Sequence, residues 1–464
     1  MRPATSCLIS SILALALLLS FRVTTASGQE LLWENRGQPE LYGFAGDIDG
    51  GENVVVSAGV VGGIGEFPSQ WFVRAMDRKT GATKWEDRFG PVIFGQARDV
   101  SIEDGRAFVA GFVFTPGRGY GFVVRAYDLD SGILLWSQEV NRGAQCAEER
   151  PGFARCVAKA LAVHNGRVFA VGHLTRTAAR SDFAVLAFDA ATGTPLWESV
   201  TDSSGTSAND YAWAVSAKGD SVFVLGEIGN FSGLLLQSHD AKTGAIRWQQ
   251  QVPGATNFTL ENTLAADRHS VFIAGMDAQS RFMVQAYDAE TGALQWDDRV
   301  DDMAGIASAL TLGGGEEDFE GDEEDSDGRL FATGIVGCDP DTFLECELAV
   351  RAYDPRGGLI WQRADQARGG DWVFLTKPAA GTGQLFVGAR ELLEDGQYHS
   401  TVFSYAAQGG TPIAAVPFDQ GSASPVGSVG AVSVLHGRLF VAGGRERSFG
   451  GFDFDFVLQS YRTR

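Results

Sequence analysis

The sequence predicts an all-β fold, an eight-bladed β-propeller of four-stranded antiparallel blades whose N- and C-terminal strands close the ring. Three observations predict it: a short phrase that returns along the chain, a second strand-like element between its copies, and termini that fall half-way through a unit. A period of this kind marks one supersecondary unit that cannot bury its apolar face alone, so neighbouring units share a continuous core. The 464 residues are therefore read as one repeat domain and not as two or three separate ones. Glycine, at 59 residues, is nearly twice its usual share, which favours many short strands joined by tight turns.

The phrase has the form small residue, any, Asp, two residues, often Thr-Gly, three residues, Trp. Five copies keep the spacing: Ala75 to Trp85, Ala126 to Trp136, Ala187 to Trp197, Ser238 to Trp248 and Ala286 to Trp296. Ala352 to Trp361 is one residue short, and Ser404 to Ala414 keeps the small residue and glycine but has neither Asp nor Trp. Asp followed by Thr and Gly is turn chemistry: the carboxylate accepts from nearby amides, and Gly takes a positive φ at little cost. A large flat indole needs a small neighbour to stack upon, which the Ala or Ser of the phrase offers. The tryptophans Trp33, Trp85, Trp136, Trp197, Trp248, Trp296 and Trp361 are thus read as wedges between adjacent blades.

Between the phrases lies the second element, as in "RAFVAG" from Arg106, "RVFAVG" from Arg167 and "RLFVAG" from Arg438, with "NVVVSAG" from Asn53 as the first of eight. Each is rich in β-branched or aromatic residues and follows a run rich in small residues, so one unit holds four strands, the number in a propeller blade. The chain begins with "LLWENRG", Leu31 to Gly37, the second half of a phrase, and ends at Ser460 to Arg464 with the first half of another. Pairing "FVLQSY", Phe456 to Tyr461, with the strand bearing Trp33 closes a ring and removes exposed strand edges. A closed ring of this kind is expected to be a monomer.

The phrase AxDxxTGxxxW resembles the repeat of the quinoprotein alcohol dehydrogenase-like propellers, the PQQ-repeat family, whose tryptophan motifs dock blade to blade. The resemblance covers residues 27–464. It implies either a pyrroloquinoline quinone-dependent dehydrogenase or a non-catalytic scaffold like the periplasmic members that assemble outer-membrane proteins. The dehydrogenases carry a disulfide between adjacent cysteines against the quinone, a calcium or lanthanide ion and an Asp base. This sequence has no adjacent Cys pair, and its unit of about 54 residues leaves little length for active-site insertions.

Other features bound the function. Arg2, the apolar run Leu8 to Leu19 and the small residues Thr24 and Ala26 read as a signal peptide over residues 1–26, too short to span a bilayer. Export leaves Cys146, Cys156, Cys338 and Cys346, whose short separations favour pairing Cys146 with Cys156 and Cys338 with Cys346. The formal net charge of −21 argues against nucleic acid and membrane as partners. Nine carboxylates fall between Gly315 and Gly328, within a loop of residues 313–328 read as disordered. Asp325, Asp327 and Gly328 offer calcium ligands, but position twelve of an EF-hand counted from Glu323 is Gly334. The six histidines form no HxH or HExxH group and there is no GxSxG, so no catalytic residue and no metal ligand is assigned.

In a four-stranded meander the first and third turns share one face, and the second turn and the blade-to-blade connection share the other. The Thr-Gly turns thus lie opposite the longer connections and both cysteine pairs. Variable loops on a rigid frame are the usual place for binding. The expectation is an exported, non-catalytic module for protein or glycan, without cofactor, with Tyr211, Arg368 and Trp372 as candidate anchors. The alternative is a quinone-dependent dehydrogenase of alcohols or sugars with calcium.

Overall fold

The computed structural model describes residues 29–463 apart from 38–42, 63–68, 90–93, 142–145, 147–155, 178–179, 203–207, 231, 254, 256–259, 301–303, 314–327, 340–345, 367–369, 382, 394–397, 419–426 and 447–453. The signal-peptide expectation, Arg368 and nearly all of the acidic loop lie outside the described residues.

Eight antiparallel sheets make eight blades, 43–89, 94–140, 157–201, 211–253, 264–299, 304–366, 370–417 and 427–462, the last completed by Glu30–Arg36. The first strand of each blade contacts the first strands of both neighbours, and the sequence of contacts returns to its start, so the first strands line a central channel. Closure is the pairing of Glu30–Arg36 with Phe454–Arg462, where Trp33 stands opposite Ser460. In blade 7 the inner strand is split into Gly370–Leu375 and Ala379–Gly381, both paired with Gln384–Leu393.

The core is distributed over the seams. Among the described residues there are eight apolar clusters, each drawing on two consecutive blades; one joins Val73 and Trp85 of blade 1 to Val109 and Tyr127 of blade 2. Burial is thus a property of the ring and not of any blade, the energetic content of a repeat fold.

The phrase shows how a seam is made. Asp128 Oδ1 accepts from the Ser131 amide at 2.9 Å, and its counterpart Asp77 accepts from the Thr80 amide at 2.8 Å. The Thr80 hydroxyl and amide hydrogen bonds hold the Asp77 carboxyl below the usual carboxylate range. Each of the seven wedge indoles donates from Nε1 to a backbone carbonyl in the third turn of the next blade, as Trp136 does to Ala190 O at 2.9 Å and Trp33 to Arg78 O at 3.1 Å. The small residue of the phrase is the indole's cross-strand neighbour, Ala126 opposite Trp136. The surface the indole lies on is also the turn glycine of the next blade: a Cβ on Gly132, at φ 72°, would overlap the Trp85 ring. The glycine is required twice, by backbone conformation and by contact.

Blade 7, with Ala414 in the Trp position, faces blade 8, whose third and outer strands come from opposite ends of the chain. No hairpin turn joins those two strands, so there is no Thr-Gly turn for an indole to lie on. The seam is filled instead by Phe418 and Arg445: the guanidinium donates to the Phe418 carbonyl, lies over the Phe418 ring and pairs with Glu34 at 3.0 Å.

Candidate functional site

The inner strands carry a second periodic feature. In seven blades the register between the first and second strand slips by one residue, leaving Gly46, Arg98, Lys159, Trp213, Ser308, Val373 and Gly430 as bulges. A bulge pushes a carbonyl toward the facing strand, and this accounts for the glycine that ends the second element. A Cβ on Gly111 would collide with Gln96 O, and one on Gly172 with Val157 O. Bulged residues re-aim side chains, often beside functional sites.

Three consecutive blades place large polar or aromatic side chains in this slot. Lys159 of blade 3 lies over the Trp213 ring of blade 4, with Nζ 3.9 Å from the centroid. Arg98 of blade 2 packs over Phe112, and its Nη1 pairs at 2.5 Å with Glu261 Oε1. Glu261 belongs to a 3-10 turn, Leu260–Asn262, leading into blade 5, whose inner strand is only Leu264–Ala266. Contact between blade 2 and the entry to blade 5 crosses the channel. Burial, reinforced by the Arg98 charge, pushes the Lys159 ammonium down to about 7.

Beyond the bulges, toward the Thr-Gly turns, lies a channel cavity of about 360 Å³ whose lining includes Asp47, Asp49, Asp99, Glu261 and Lys377. Its aspartates act as ties between inner strands. Asp47 accepts from the Val100 amide at 2.8 Å, Asp49 from Ile102 at 2.7 Å, and Asp99 from Leu161 at 2.7 Å. Burial pushes Asp49 up to about 6. Burial, then the charge and hydrogen bond of Asp47, hold Asp99 well above the ordinary range.

Of the anchors expected from sequence, Tyr211 opens the inner strand of blade 4, half-buried, its ring edge-on to His173 at 4.9 Å and 6.0 Å from Trp213. It therefore borders the bulge cluster. Trp372 falls in the inner strand of blade 7, paired in register with Glu391, three blades away. The two are not brought together. Both disulfides form between sequence neighbours, Cys146–Cys156 on the connection from blade 2 to blade 3 and Cys338–Cys346 between the second and third strands of blade 6. Sequence reasoning missed Arg98, Lys159, Trp213 and Glu261. The available signal was the slot between small residues, as in "AKA" and "AWA", where blades otherwise alike differ most.

Among the described residues no group of three or more His, Cys, Asp and Glu side chains is arranged to hold a metal ion. Nor is any helix among them long and apolar enough to cross a membrane.

The family model described as outer membrane protein assembly factor BamB matches residues 25–184 and again 69–311, together more than half of the chain. No curated protein sequence matches significantly. Among solved structures, a quinohemoprotein alcohol dehydrogenase from Pseudomonas putida superposes with a TM-score of 0.58 at 13% identity, covering 94% of this chain and 76% of the other. One from Comamonas testosteroni gives 0.56 at 12%, covering 95% and 78%. A europium-containing methanol dehydrogenase gives 0.54 at 12%, covering 94% and 93%. At these identities the likeness is one of fold.

Proposed function

The chain belongs to the family described as outer membrane protein assembly factor BamB, and from that premise we propose that it is an extracytoplasmic, non-catalytic binding module. Its partner, a protein or a glycan, meets the face that carries the long connections. The observation that carries this reading is the use of the channel's aspartates to hold its inner strands together: Asp47, Asp49 and Asp99 are tied to inner-strand amides.

A quinone with a calcium ion fits these residues poorly. The chain has no adjacent cysteines, the described residues include no acidic group of metal-ligand size, and the channel is crossed by a salt bridge. No chemical step is therefore derived through that cofactor. The disulfides brace loops on the connection-rich face, and such bonds persist in oxidising compartments, which supports export. A rigid frame presenting varied loops is suited to recognition.

The test is partner recovery. Protein carrying Tyr211→Ala, and separately Trp372→Ala with Arg368→Ala, is used as bait against the exported fraction, with wild type alongside. Loss of a reproducible partner in Tyr211→Ala, with the fold intact by circular dichroism, is expected. Undiminished recovery with both variants would reject this face.

A further inference from the structure

We propose that the connection-side mouth of the channel is a carboxylate-binding site, occupied by the protein's own Glu261, and that its external ligand is an acidic side chain of a partner polypeptide. This rests on reading that face as the partner-binding one.

Arg98 Nε and Trp213 Nε1 are buried with no hydrogen-bond acceptor among the described residues. Lys159 contributes an ammonium that lies against the Trp213 ring face. Against these stands one carboxylate, Glu261, which reaches Arg98 through Oε1. A strut that served stability alone would leave its donors satisfied, because a buried donor without an acceptor keeps its full desolvation cost. A carboxylate has two oxygens and about four lone-pair sites, which suits several convergent donors.

Burial and the neighbouring Asp47 push Asp99 toward its neutral form, which weakens the negative field beneath the site. The anchor is also displaceable by construction. Glu261 sits on a 3-10 turn of three residues, where the other blades have a longer inner strand, and its side chain is 41% exposed. A glutamate side chain already pairs with Arg98, which favours an acid carried on a polypeptide as the ligand. Trp213 lies next to Tyr211, which places the site at the bordering edge of the expected anchor.

The experiment titrates wild type and Glu261→Ala with the peptide Ac-Gly-Glu-Gly-NH2, its Gln counterpart, glutarate and a galacturonate trimer, by calorimetry at pH 6. The glutamyl peptide is expected to bind Glu261→Ala at least about tenfold more tightly than wild type, with no binding of the Gln peptide. The gain should vanish when Lys159→Met or Arg98→Met is added. Affinity should decline as pH rises through about 7, where Lys159 gives up its proton. Affinities of wild type and Glu261→Ala within a factor of about two, or a gain that survives both second-site changes, overturn the site. Glutarate or the galacturonate trimer binding more tightly than the peptide overturns the choice of partner. Should Glu261→Ala not fold, Glu261→Gln, which keeps the side-chain length, is read by the same outcomes. Partner loss in Tyr211→Ala without any carboxylate affinity sinks this inference alone, while full recovery both in that variant and in Trp372→Ala with Arg368→Ala sinks the reading it rests on.

Discussion

A single residue pair, an indole and the glycine it lies on, carries the blade-to-blade contact. Trp136 is 7% exposed, donates to Ala190 O and covers Gly193. Trp136→Ala should cost about 3–5 kcal/mol in denaturant melts, as for other large-to-small core changes; a loss below about 1 kcal/mol would mean the wedge is not what joins the blades. Two glycines separate conformation from contact. Gly105 (φ 69°) has open space where a Cβ would go, whereas Gly132 (φ 72°) has the Trp85 ring there. Gly105→Ala should cost about 1–2 kcal/mol for the left-handed conformation. Gly132→Ala should cost about 1–3 kcal/mol more for the overlap. Equal losses would contradict the contact.

At the scale of the element, the inner strands and the seams differ in predictable ways. Asp49 and Asp99, on the inner strands of blades 1 and 2, have raised pKa values, so the folded state binds protons there that the unfolded state has released. For Asp49 that window runs from about 4 up to about 6. Burial and the charge of Asp47 raise Asp99 in the same direction. Stability from these groups therefore falls as pH rises through the window. Asp99→Asn keeps an acceptor for the Leu161 amide and cannot ionise. Its melting temperature relative to wild type should rise steadily between pH 5 and pH 7, and a pH-independent difference would remove the buried carboxyl pair from the account. The seam between blades 7 and 8 lacks an indole and a receiving turn. Its amides should exchange fastest of the eight seams, and Ala414→Trp should gain less than about 1 kcal/mol because nothing accepts the ring. A large gain would show that an indole needs no glycine turn.

The whole molecule shows what a sequence of this kind discloses. Blade number, ring closure and the turn chemistry follow from local spacings such as Asp128 to Trp136, because each repeat is copied with its neighbours' contacts built in. The site is different in kind. Arg98 and Glu261 are 163 positions apart and meet across a channel that no local pattern describes. Lys159 and Trp213 look like single departures in a variable slot, and the bulge that aims them is invisible to two-residue alternation. The shortened inner strand of blade 5, which frees Glu261 to cross, had no turn signal strong enough to announce it. The ring itself, with its channel aspartates tied to inner-strand amides, is the basis for reading the protein as a binding module. Native mass spectrometry of the protein purified from the exported fraction without denaturation tests that claim most directly. The account predicts the mass of the polypeptide with two disulfides and no small-molecule adduct. A mass excess equal to a quinone with calcium, released on denaturation and accompanied by alcohol- or sugar-dependent dye reduction, would contradict it.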